Sequence, residues 1–419
     1  MSESPTDLFW SIPSLLNIPT LASMYNRHDA LESNAFVLWG LTAAAIGLPC
    51  YMIYQSQQKV AKGSDNDSAS ASTEQTARSV MPAQANDKWK GGPVARVKKL
   101  LVHPIKSCGG MSLTECRYTP EGLAYDRTWC IVDATTHAVI TGRTVPKMVL
   151  ITPRVEEDSG PPHGGALRIS LKSASEELTF STPLNPDAET LEQWKRLGDV
   201  GLWGNTSLEG YVCEFLDRPV SNEAGTTSPS EILSNFLGVS VLLVRKGPKP
   251  RWCKPTPDFP DLSGAAIKFQ DGYPVLLLSH ENLDAITSVV RDHVGRLGVD
   301  GRWEKENLEI ERFRPNVVIE GAGAFAEDEW QSVVIHSSDV PAAEGTSFNL
   351  VSKCTRCLFP NVDISTGVPD KAVPYKMLMK FRAGLVPQEK YKPCVGCNTI
   401  PQGSGVLHVG DVLTVAKTW

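Results

Sequence analysis

The sequence predicts a mostly β protein of the α+β class, in which two β-barrel-like units follow one N-terminal transmembrane helix. Three observations favour this fold class. Short runs of β-branched and aromatic residues, broken by Gly, Pro and Asn, fill the chain from residue 94 onward and are typical of barrels and sandwiches. Residues 35–54 form one long stretch without a charge. The 419 residues exceed what one hydrophobic core usually takes, so we expect at least two units.

The long apolar stretch, residues 35–54, is predicted to cross a membrane as a helix. At about 1.5 Å rise per residue, a stretch of about 20 residues spans a hydrocarbon core about 30 Å thick. A buried core helix is the alternative. The next segment, residues 55–91, is rich in Ser, Ala, Gln, Asp and Lys, so we expect a disordered linker that gives the helix nothing to pack on. Residues 1–34 form an N-terminal tail.

The charges around this stretch predict its orientation. Arg27 lies before it, whereas Lys59 and Lys62 follow it, and positive charges prefer the cytosolic side. We therefore expect the C-terminal bulk of the chain in the cytosol. The tail holds four acidic residues and one arginine, unlike an Arg-rich presequence for import into the mitochondrial matrix. This pattern favours a retained signal anchor.

Composition and charge narrow the function classes. Hydrophobic residues make up 41% and charged residues 21% of the chain, which is ordinary for a protein that folds in water. The net charge of -6 and the lack of a run of Lys and Arg predict no nucleic-acid partner. Ten cysteines are too few for a disulfide-stapled scaffold, so we expect a reducing compartment around the folded part.

Several elements of the folded part are predicted individually. A buried strand at residues 275–278 is followed by Ser279, which is expected to cap a helix at residues 282–290 because apolar residues recur there at helical spacing. Gly410-Asp411 lies between two alternating apolar stretches, as in a tight hairpin or bulge. Further strands are predicted at residues 129–132, 317–319, 333–335 and 406–415.

Two Cys-x-x-Cys pairs lie late in the chain, Cys354 with Cys357 and Cys394 with Cys397. Thiolates bind soft and borderline metals, and Arg356 directly before Cys357 would help to keep that thiol ionised, so Cys357 is predicted to be a metal ligand. Two alternatives stay open. The cysteine could be a buried structural residue, or all four cysteines could form a zinc site, although the 36 residues between the pairs exceed the usual spacing.

Five short motifs follow one another in the order expected of a known family. They are VHPIKSC at residues 102–108, YDRTW at 125–129, RFRPN at 312–316, EDEW at 327–330, and CTRC at 354–357 with its continuation to 367. The first two resemble signatures of the MOSC N-terminal β-barrel domain, and the other three resemble the MOSC domain. The set is similar to the amidoxime-reducing group of MOSC proteins over about residues 93–419. The resemblance implies a MOSC N-terminal β-barrel domain at residues 92–235 and a MOSC domain at residues 236–419.

This resemblance implies that the protein binds the molybdenum cofactor, a pterin whose dithiolene holds the metal and whose phosphate needs cationic partners. The cofactor would lie in the cleft between the two units, where ligands commonly bind. Cys357 would be both the metal ligand and the catalytic residue. Cofactor contacts are implied for Lys106, Ser107, Arg127, Asp271, Arg314, Asn316, Thr355, Arg356 and Asn398.

The residue types suit these implied roles, but ordinary alternatives exist. An ammonium at Lys106 and the planar guanidinium groups of Arg127 and Arg314 match phosphate and pterin oxygens. Lys106 could instead be a solvated surface lysine, and Arg127 could simply pair with Asp126. Asp271, followed by Gly, is also typical of a plain turn.

Two asparagines have competing interpretations as well. Asn316 could serve only to stabilise its own loop. Asn398 lies at the end of a stretch, residues 393–398, that departs from the pattern expected of the family. The same departure leaves Cys394 and Cys397 without an implied role.

The implied activity is two-electron reduction of small N-hydroxylated compounds, such as amidoximes, at the molybdenum. Electrons would come from a b-type cytochrome and its NADH-dependent flavin reductase on the same membrane. The catalytic part would face the cytosol from the mitochondrial outer membrane, with the endoplasmic reticulum as the alternative location.

Two other function classes stay open. The same unit ends the molybdenum cofactor sulfurases, so a non-catalytic cofactor carrier would have a similar sequence, although no pyridoxal-dependent desulfurase domain is expected here. A zinc-stabilised membrane adaptor would need all four late cysteines as ligands.

Overall fold

Strands dominate the part of the chain that the computed structural model describes, which is residue 92 and residues 94–419 without 159, 161–162, 173–176, 219–224, 226 and 338–344. The strands are β1 (Ala95–Val102), β2 (Met111–Leu113), β3 (Glu115–Thr119), β4 (Gly122–Leu123), β5 (Trp129–Asp133), β6 (Ile151–Glu157), β7 (Gly165–Lys172), β8 (Glu177–Pro183), β9 (Arg196–Leu202), β10 (Asn205–Val212), β11 (Val241–Lys246), β12 (Arg251–Trp252), β13 (Ala266–Ile267), β14 (Val275–Ser279), β15 (Val317–Glu320), β16 (Trp330–His336), β17 (Thr346–Thr355), β18 (Cys394–Pro401), β19 (Gly405–His408) and β20 (Val412–Thr418). The α-helices within these residues are α1 (Ala188–Gln193), α2 (Pro229–Leu237), α3 (Asn282–Arg291) and α4 (Tyr375–Phe381).

Seven strands close into a barrel in the order β15-β14-β18-β17-β16-β20-β1, and β1 pairs back with β15. The pairing of β14 with β15 is parallel, and the other six pairings of the barrel are antiparallel. Leu100, Trp330 and Phe348 are fully buried in one core cluster built from these strands. Closure pairs the strand edges with each other, so the barrel offers them no route to edge-to-edge association.

A helix connects the two parallel strands of the barrel. Parallel neighbours need a crossover connection, and α3 lies between β14 and β15 in the chain. Ile286 and Val290 of α3 are fully buried. The predicted strand at residues 275–278 and the predicted helix at residues 282–290 are therefore confirmed.

The predicted cap of this helix is wrong. Glu281 occupies the N-cap position of α3. The hydroxyl of Ser279 donates instead to the carboxylate of Glu281 at 2.6 Å or to the carbonyl of Gly323 at 2.8 Å. Ser279 is still the last residue of β14, and its side chain lies between the N-cap residue of the helix and the loop at Gly323.

The first part of the described chain forms two smaller sheets. β5, β11, β10 and β9 form a four-stranded sheet in that order, and β6, β7 and β8 form a three-stranded sheet. Trp129, Phe180 and Leu243 from these strands are buried in one cluster together with Leu233 of α2. β11 follows residue 236 in the chain but pairs with β5 and β10. The boundary predicted between residues 235 and 236 stays a prediction.

The turn predicted at Gly410-Asp411 is present, but the predicted hairpin is wrong. β19 pairs with β3, whereas β20 pairs with β16 and β1 in the barrel. Gly410 has a φ of 100°, which a side chain would make strained. The Asp411 carboxylate accepts a hydrogen bond from the backbone N–H of His408 at 2.8 Å. The turn carries the chain from one sheet to another, so its two flanks do not pair.

The other predicted strands, at residues 129–132, 317–319 and 333–335, are confirmed, as is the mostly β class. In the described residues, none of the helices combines the length and the hydropathy of a membrane span. The predicted span at residues 35–54 lies outside the described residues, as do the tail at 1–34 and the linker at 55–91.

Candidate functional site

A cavity of about 550 Å³ collects residues from distant parts of the chain. Its walls come from the turn after β1, the turn between β9 and β10, the segment before β14, and the strands β17 and β18. Nine of the ten predicted site residues line this cavity, and Asn316 does not. The nine are Lys106, Ser107, Arg127, Asp271, Arg314, Thr355, Arg356, Cys357 and Asn398.

The cavity is strongly basic, although the protein as a whole carries a net charge of -6. Its lining contains seven basic residues and two carboxylates, Asp271 and Glu389. Cations gathered in a concave site focus a positive potential that attracts anions. The seven basic residues are Lys106, Arg127, Arg143, Arg314, Lys353, Arg356 and Lys392.

Lys106 lies in the turn after β1 and is 5% exposed. Its ammonium group donates to the carbonyl of Phe269 at 2.8 Å and to Asp271 at 2.5 Å. Burial lowers the pKa of Lys106, because desolvation disfavours the charged form. The alternative of a solvated surface lysine is therefore wrong. Asp271 does more than form a turn, because its carboxylate fixes the ammonium of Lys106.

Arg127 is fixed by a buried carboxylate. Its guanidinium donates to both carboxylate oxygens of Asp126 at 2.7 Å and to the carbonyl of Arg314 at 3.1 Å. Burial opposes ionisation of Asp126, but the Arg127 guanidinium and a hydrogen bond from His103 hold its pKa at about 2. The alternative ion pair with Asp126 is thus present, and Arg127 also lines the cavity. The ion pair holds the guanidinium of Arg127 in a fixed position at the cavity wall.

Arg314 brings a buried and incompletely bonded guanidinium to the cavity. Its Nη1 donates to the carbonyl of Cys108 at 2.5 Å, whereas its Nη2 is buried without a hydrogen-bond partner within the described residues. Burial lowers the pKa of Arg314 to about 9. A buried N–H without an acceptor costs free energy. An anionic ligand in the cavity would supply the missing acceptor.

Asn316 lies behind the cavity wall rather than in it. It is 2% exposed. Its side-chain carbonyl accepts from the backbone N–H of Leu276 at 3.1 Å, and its amide donates to the carbonyl of Leu101 at 3.2 Å. The guanidinium of Arg127 also donates to the side-chain carbonyl of Asn316 at 3.4 Å. These contacts join Asn316 to β1 and β14, so its structural role reaches beyond its own loop, which was the alternative.

Several cavity residues have strained backbone conformations. Eight non-glycine residues of the described chain have positive φ, and four of them line the cavity. Such conformations cost of order 1 to 3 kcal/mol each and cluster at functional sites. The four are Ser107 (φ 67°), Arg127 (φ 46°), Trp203 (φ 51°) and Arg314 (φ 57°).

The two cysteines at the end of β17 differ in their contacts. Arg356 donates to the Sγ of Cys354 at 3.1 Å and to the carbonyl of Phe313 at 2.7 Å. Burial raises the pKa of the Cys354 thiol. The thiol of Cys357 is partly exposed, lines the cavity and has no hydrogen-bond partner within the described part of the chain. Of the two thiols, that of Cys357 is the one left free to bind a ligand in the cavity.

The second cysteine pair lies inside β18 and is buried. Cys394 is 0% and Cys397 is 2% exposed, and burial raises the pKa of both thiols. The Sγ of Cys397 donates to the carbonyl of Glu327 at 3.3 Å. Across the described residues, no three His, Cys, Asp or Glu side chains are grouped so that they could hold a metal ion. The four-cysteine zinc site is therefore wrong.

The remaining predicted residues lie on the two strands beside the cysteines. The hydroxyl of Thr355 donates to the carboxylate of Glu389, and the amide of Asn398 donates to the hydroxyl of Ser352 at 3.0 Å. Both residues line the cavity. Asn398 is brought there by the pairing of β18 with β17, despite the unusual sequence around it.

The indole of Trp203, which none of the sequence motifs indicated, lies on the turn between β9 and β10. Its Nε1 donates to the Asp271 carboxylate at 3.2 Å. The guanidinium of Arg143 lies 4.5 Å from the ring centre, and the ammonium of Lys106 lies 5.6 Å from it. A Trp-Gly pair between two alternating stretches is the signal that could have indicated this turn. Lys353, Glu389 and Lys392 were also missed, and no local pattern indicates them.

Comparison with known families agrees with this architecture. Residues 94–213 match the family described as MOSC N-terminal beta barrel domain, and residues 264–414 match the MOSC domain. Together the two matches cover more than half of the chain. The chain contains both domains and belongs to the MOSC-domain proteins.

Within this class the chain is similar to proteins of two kinds. It is 28% identical to Mitochondrial amidoxime-reducing component 1 of Danio rerio, over 76% of this chain and 84% of the relative. It is also 28% identical to Mitochondrial amidoxime reducing component 2 of Homo sapiens, over 76% of this chain and 82% of the relative. Molybdenum cofactor sulfurase of Aspergillus niger is 27% identical over 72% of this chain, but only 38% of the sulfurase is matched.

Proposed function

We propose that this protein is a molybdenum-cofactor-dependent reductase of small N-hydroxylated compounds such as amidoximes. One observation carries the proposal: the partly exposed thiol of Cys357 shares a cavity of about 550 Å³ with seven basic side chains. Soft thiolates suit a metal such as molybdenum, and the cations suit the phosphate of a pterin cofactor. The names of the relatives point in the same direction.

The residues of the cavity fit this cofactor. Its volume lies in the range of about 300 to 1,000 Å³ that ligand pockets usually have. Within the described residues the Nη2 of Arg314 is buried without an acceptor, which an anionic ligand would supply, and Lys106 and Arg127 are cations already held in place. In the proposed arrangement the pterin and its phosphate are held by Lys106, Ser107, Arg127, Asp271, Arg314, Thr355, Arg356 and Asn398.

Cys357 is the proposed metal ligand. Arg356 donates to the Sγ of Cys354 rather than to Cys357, which the sequence had led us to expect it to keep ionised. Cys354 is still the poorer candidate, because its Sγ is already occupied by this contact and burial raises its pKa more than the guanidinium lowers it. The same Arg356 holds the loop by donating to the carbonyl of Phe313. When bound, the cofactor supplies the two-electron redox chemistry, while the protein supplies its placement, its electrostatic surroundings and the thiolate.

The electron donors and the location are proposed by analogy with the relatives. A b-type cytochrome and its NADH-dependent flavin reductase would deliver the electrons. The amidoxime-reducing relatives are named mitochondrial, so we place this protein at the mitochondrial outer membrane, anchored through residues 35–54 with the catalytic part facing the cytosol. The endoplasmic reticulum is the alternative. Sharing one membrane would raise the effective concentration of the three proteins.

Metal analysis and turnover test this proposal together. The full chain, purified in detergent from cells that make the cofactor, is expected to contain close to one molybdenum per protein and a pterin detectable by fluorescence after oxidation. An artificial electron donor should then support reduction of an aryl amidoxime to the amidine. A protein that contains neither molybdenum nor pterin would refute the proposal.

A non-catalytic cofactor carrier is the second candidate, because the sulfurase of Aspergillus niger matches 72% of this chain at nearly the same identity. A carrier and a reductase differ in turnover. Bound molybdenum without amidoxime reduction, combined with release of the cofactor to an apo-molybdoenzyme, would favour the carrier. Molybdenum-dependent amidine formation would exclude it as the sole function.

A further inference from the structure

A second cavity, of about 540 Å³, shares no lining residue with the first. The two cavities are neighbours across two chain segments. Arg127 lines the first cavity and Thr128 the second, and Gln270 lines the first while Lys268 lines the second. The backbone N–H of Phe269 donates to the carbonyl of Arg127 at 3.1 Å, which joins these two segments into one wall.

The second cavity is basic as well. Its lining contains five basic residues and one carboxylate, Glu121. The ammonium of Lys246 is engaged by backbone carbonyls, and Arg117 is paired with Glu157. The basic residues are Arg117, Arg245, Lys246, Lys249 and Lys268.

Two of these cations form no ion pair within the described residues, although the Glu121 carboxylate of the same lining favours the charged form of Lys268. In the described part of the chain neither Arg245 nor Lys268 has a salt bridge or a side-chain hydrogen bond, and the guanidinium of Arg245 lies 5.9 Å from the ring centre of Trp129. Burial lowers the pKa of both, as expected of cations held away from water. An anion in the cavity would give Arg245 and Lys268 a direct ion-pair partner.

Two buried polar atoms on the wall of this cavity have no hydrogen-bond partner within the described residues, Nε of Arg245 and Oγ1 of Thr128. Thr128 is only 6% exposed. Buried polar groups are nearly always hydrogen-bonded, and each exception calls for an explanation. A donor on Arg245 and a hydroxyl on Thr128 together suit the oxygens of an anionic group such as phosphate.

The cavity also offers aromatic surface. Tyr125 and Tyr211 belong to its lining. Tyr125 has a φ of 63°, a costly conformation for a bulky residue, and its hydroxyl accepts a hydrogen bond from Asn185 at 3.2 Å. A tyrosine held in this way can pack against a planar ring while its hydroxyl stays engaged.

We infer that the second cavity binds a small organic phosphate that carries a planar ring. Its phosphate is held by Arg245, Lys268 and Thr128, and its ring lies against Tyr125 and Tyr211. The lining holds five basic residues and one carboxylate, so a phosphate dianion matches its charge better than a single carboxylate does. The inference goes beyond the proposed reductase activity and does not depend on it.

Calorimetric titration of the full chain in detergent tests this inference with adenosine monophosphate as the probe. Binding of the probe is expected to be at least about tenfold tighter than binding of inorganic phosphate or of adenosine, because only the probe engages both halves of the cavity. Lys268→Met should weaken binding of the probe about tenfold, since it removes one charge-assisted contact. Arg245→Met should do the same.

Two control variants separate this cavity from other basic surfaces. Lys195→Met removes an exposed lysine outside both cavities and should bind the probe as the parent protein does. Arg314→Ala removes a cation of the first cavity and reports whether the probe binds there instead. Thermal unfolding confirms that each variant is folded. Loss of probe binding in Arg314→Ala but not in Lys268→Met would overturn the inference. Equal binding of inorganic phosphate and the probe, or no binding of the probe, would also overturn it.

Discussion

The two Cys-x-x-Cys pairs have the same spacing in sequence and opposite surroundings in the fold. Cys354 and Cys357 lie where β17 ends, and both line the basic cavity. Cys394 and Cys397 lie within β18, and both are buried. Cys397 belongs to the core cluster of the barrel, and the carbonyl of Cys394 accepts from Arg382 at 2.9 Å.

The comparison shows that spacing alone does not define a metal ligand. A thiol inside a strand of the closed barrel is packed on all sides and behaves as a small apolar side chain. A thiol just beyond a strand end can be partly exposed while the strand still fixes its position, and Cys357 meets this condition. Binding residues commonly lie on loops that a rigid scaffold positions. The following predictions test whether the two pairs differ in function as they do in surroundings.

The largest effect is expected for Cys357→Ser, because a serine oxygen is harder and much less acidic than a thiol. Changes around metal ligands alone cost about 10- to 100-fold, so loss of the ligand should lower amidoxime reduction by more than about 100-fold. Molybdenum per protein and turnover with an artificial donor are measured. Cys354→Ser is the matched control and should retain most of the molybdenum and most of the turnover. If the two variants exchanged phenotypes, Cys354 would be the ligand.

A smaller effect is expected for Arg314→Ala, because the guanidinium of Arg314 would contribute a charge-assisted contact to the cofactor. Such a contact is worth about 1.5 to 3 kcal/mol, so cofactor affinity should fall by about tenfold or more. The cofactor-free protein should lose less stability, since the variant removes the hydrogen bond of Nη1 to the carbonyl of Cys108 but also a buried Nη2 that has no partner within the described residues. Molybdenum occupancy and urea unfolding of the cofactor-free protein are compared.

Arg154→Ala is the control for this variant, because Arg154 is exposed and lies outside both cavities. Normal molybdenum occupancy in Arg314→Ala would show that Arg314 does not contribute to cofactor binding. A large loss of stability in the cofactor-free variant would instead assign Arg314 a structural role.

A pH effect is expected beside the buried cysteine pair, at Glu327. This residue is 0% exposed, and burial together with the neighbouring Asp328 raises its pKa from 4.5 to about 7. Between these two values the unfolded chain loses the proton and the folded chain keeps it, so the free energy of unfolding falls as pH rises from about 4.5 to about 7. The contribution is at most about 3 kcal/mol.

The amide variant isolates this contribution. Glu327→Gln cannot ionise, so its free energy of unfolding should fall less between pH 5 and pH 7.5 than that of the parent protein. Urea unfolding of the cofactor-free protein at both pH values measures the difference. The same pH dependence in both proteins would show that the Glu327 carboxyl does not titrate in this range.

Local sequence signals predicted a large part of the fold. The strand at residues 275–278 and the helix at 282–290 were predictable because β-branched runs and helical apolar spacing are local properties. The change of sheet at Gly410-Asp411 was not predictable, because β19 pairs with β3 and β20 pairs with β16 and β1, which lie far away in sequence. Ser279 does not cap the helix, because Glu281 occupies the N-cap position and the Ser279 hydroxyl contacts Glu281 and Gly323.

The candidate site likewise contains residues that local motifs indicated and residues that they did not. Lys106, Arg127 and Cys357 lie in compact motifs, and the structure brings them to one cavity. Arg143 and Trp203 carry no motif, and they reach the cavity only through the tertiary arrangement of the loops that carry them. Their contribution depends on contacts between distant segments, which spacing within a single sequence does not encode.

The smallest effect on the metal is expected when both buried cysteines are replaced, in Cys394→Ser with Cys397→Ser. Neither thiol lines the cavity, so molybdenum per folded protein and amidoxime reduction should stay close to the parent values. Stability should fall, because burying a hydroxyl without a compensating hydrogen bond costs about 1 to 3 kcal/mol for each serine. Urea unfolding measures this cost, with Cys213→Ser as a control for a buried cysteine outside both pairs. Loss of molybdenum from the folded double variant would mean that the second pair supports the site after all, and the contrast between the two pairs would then not hold.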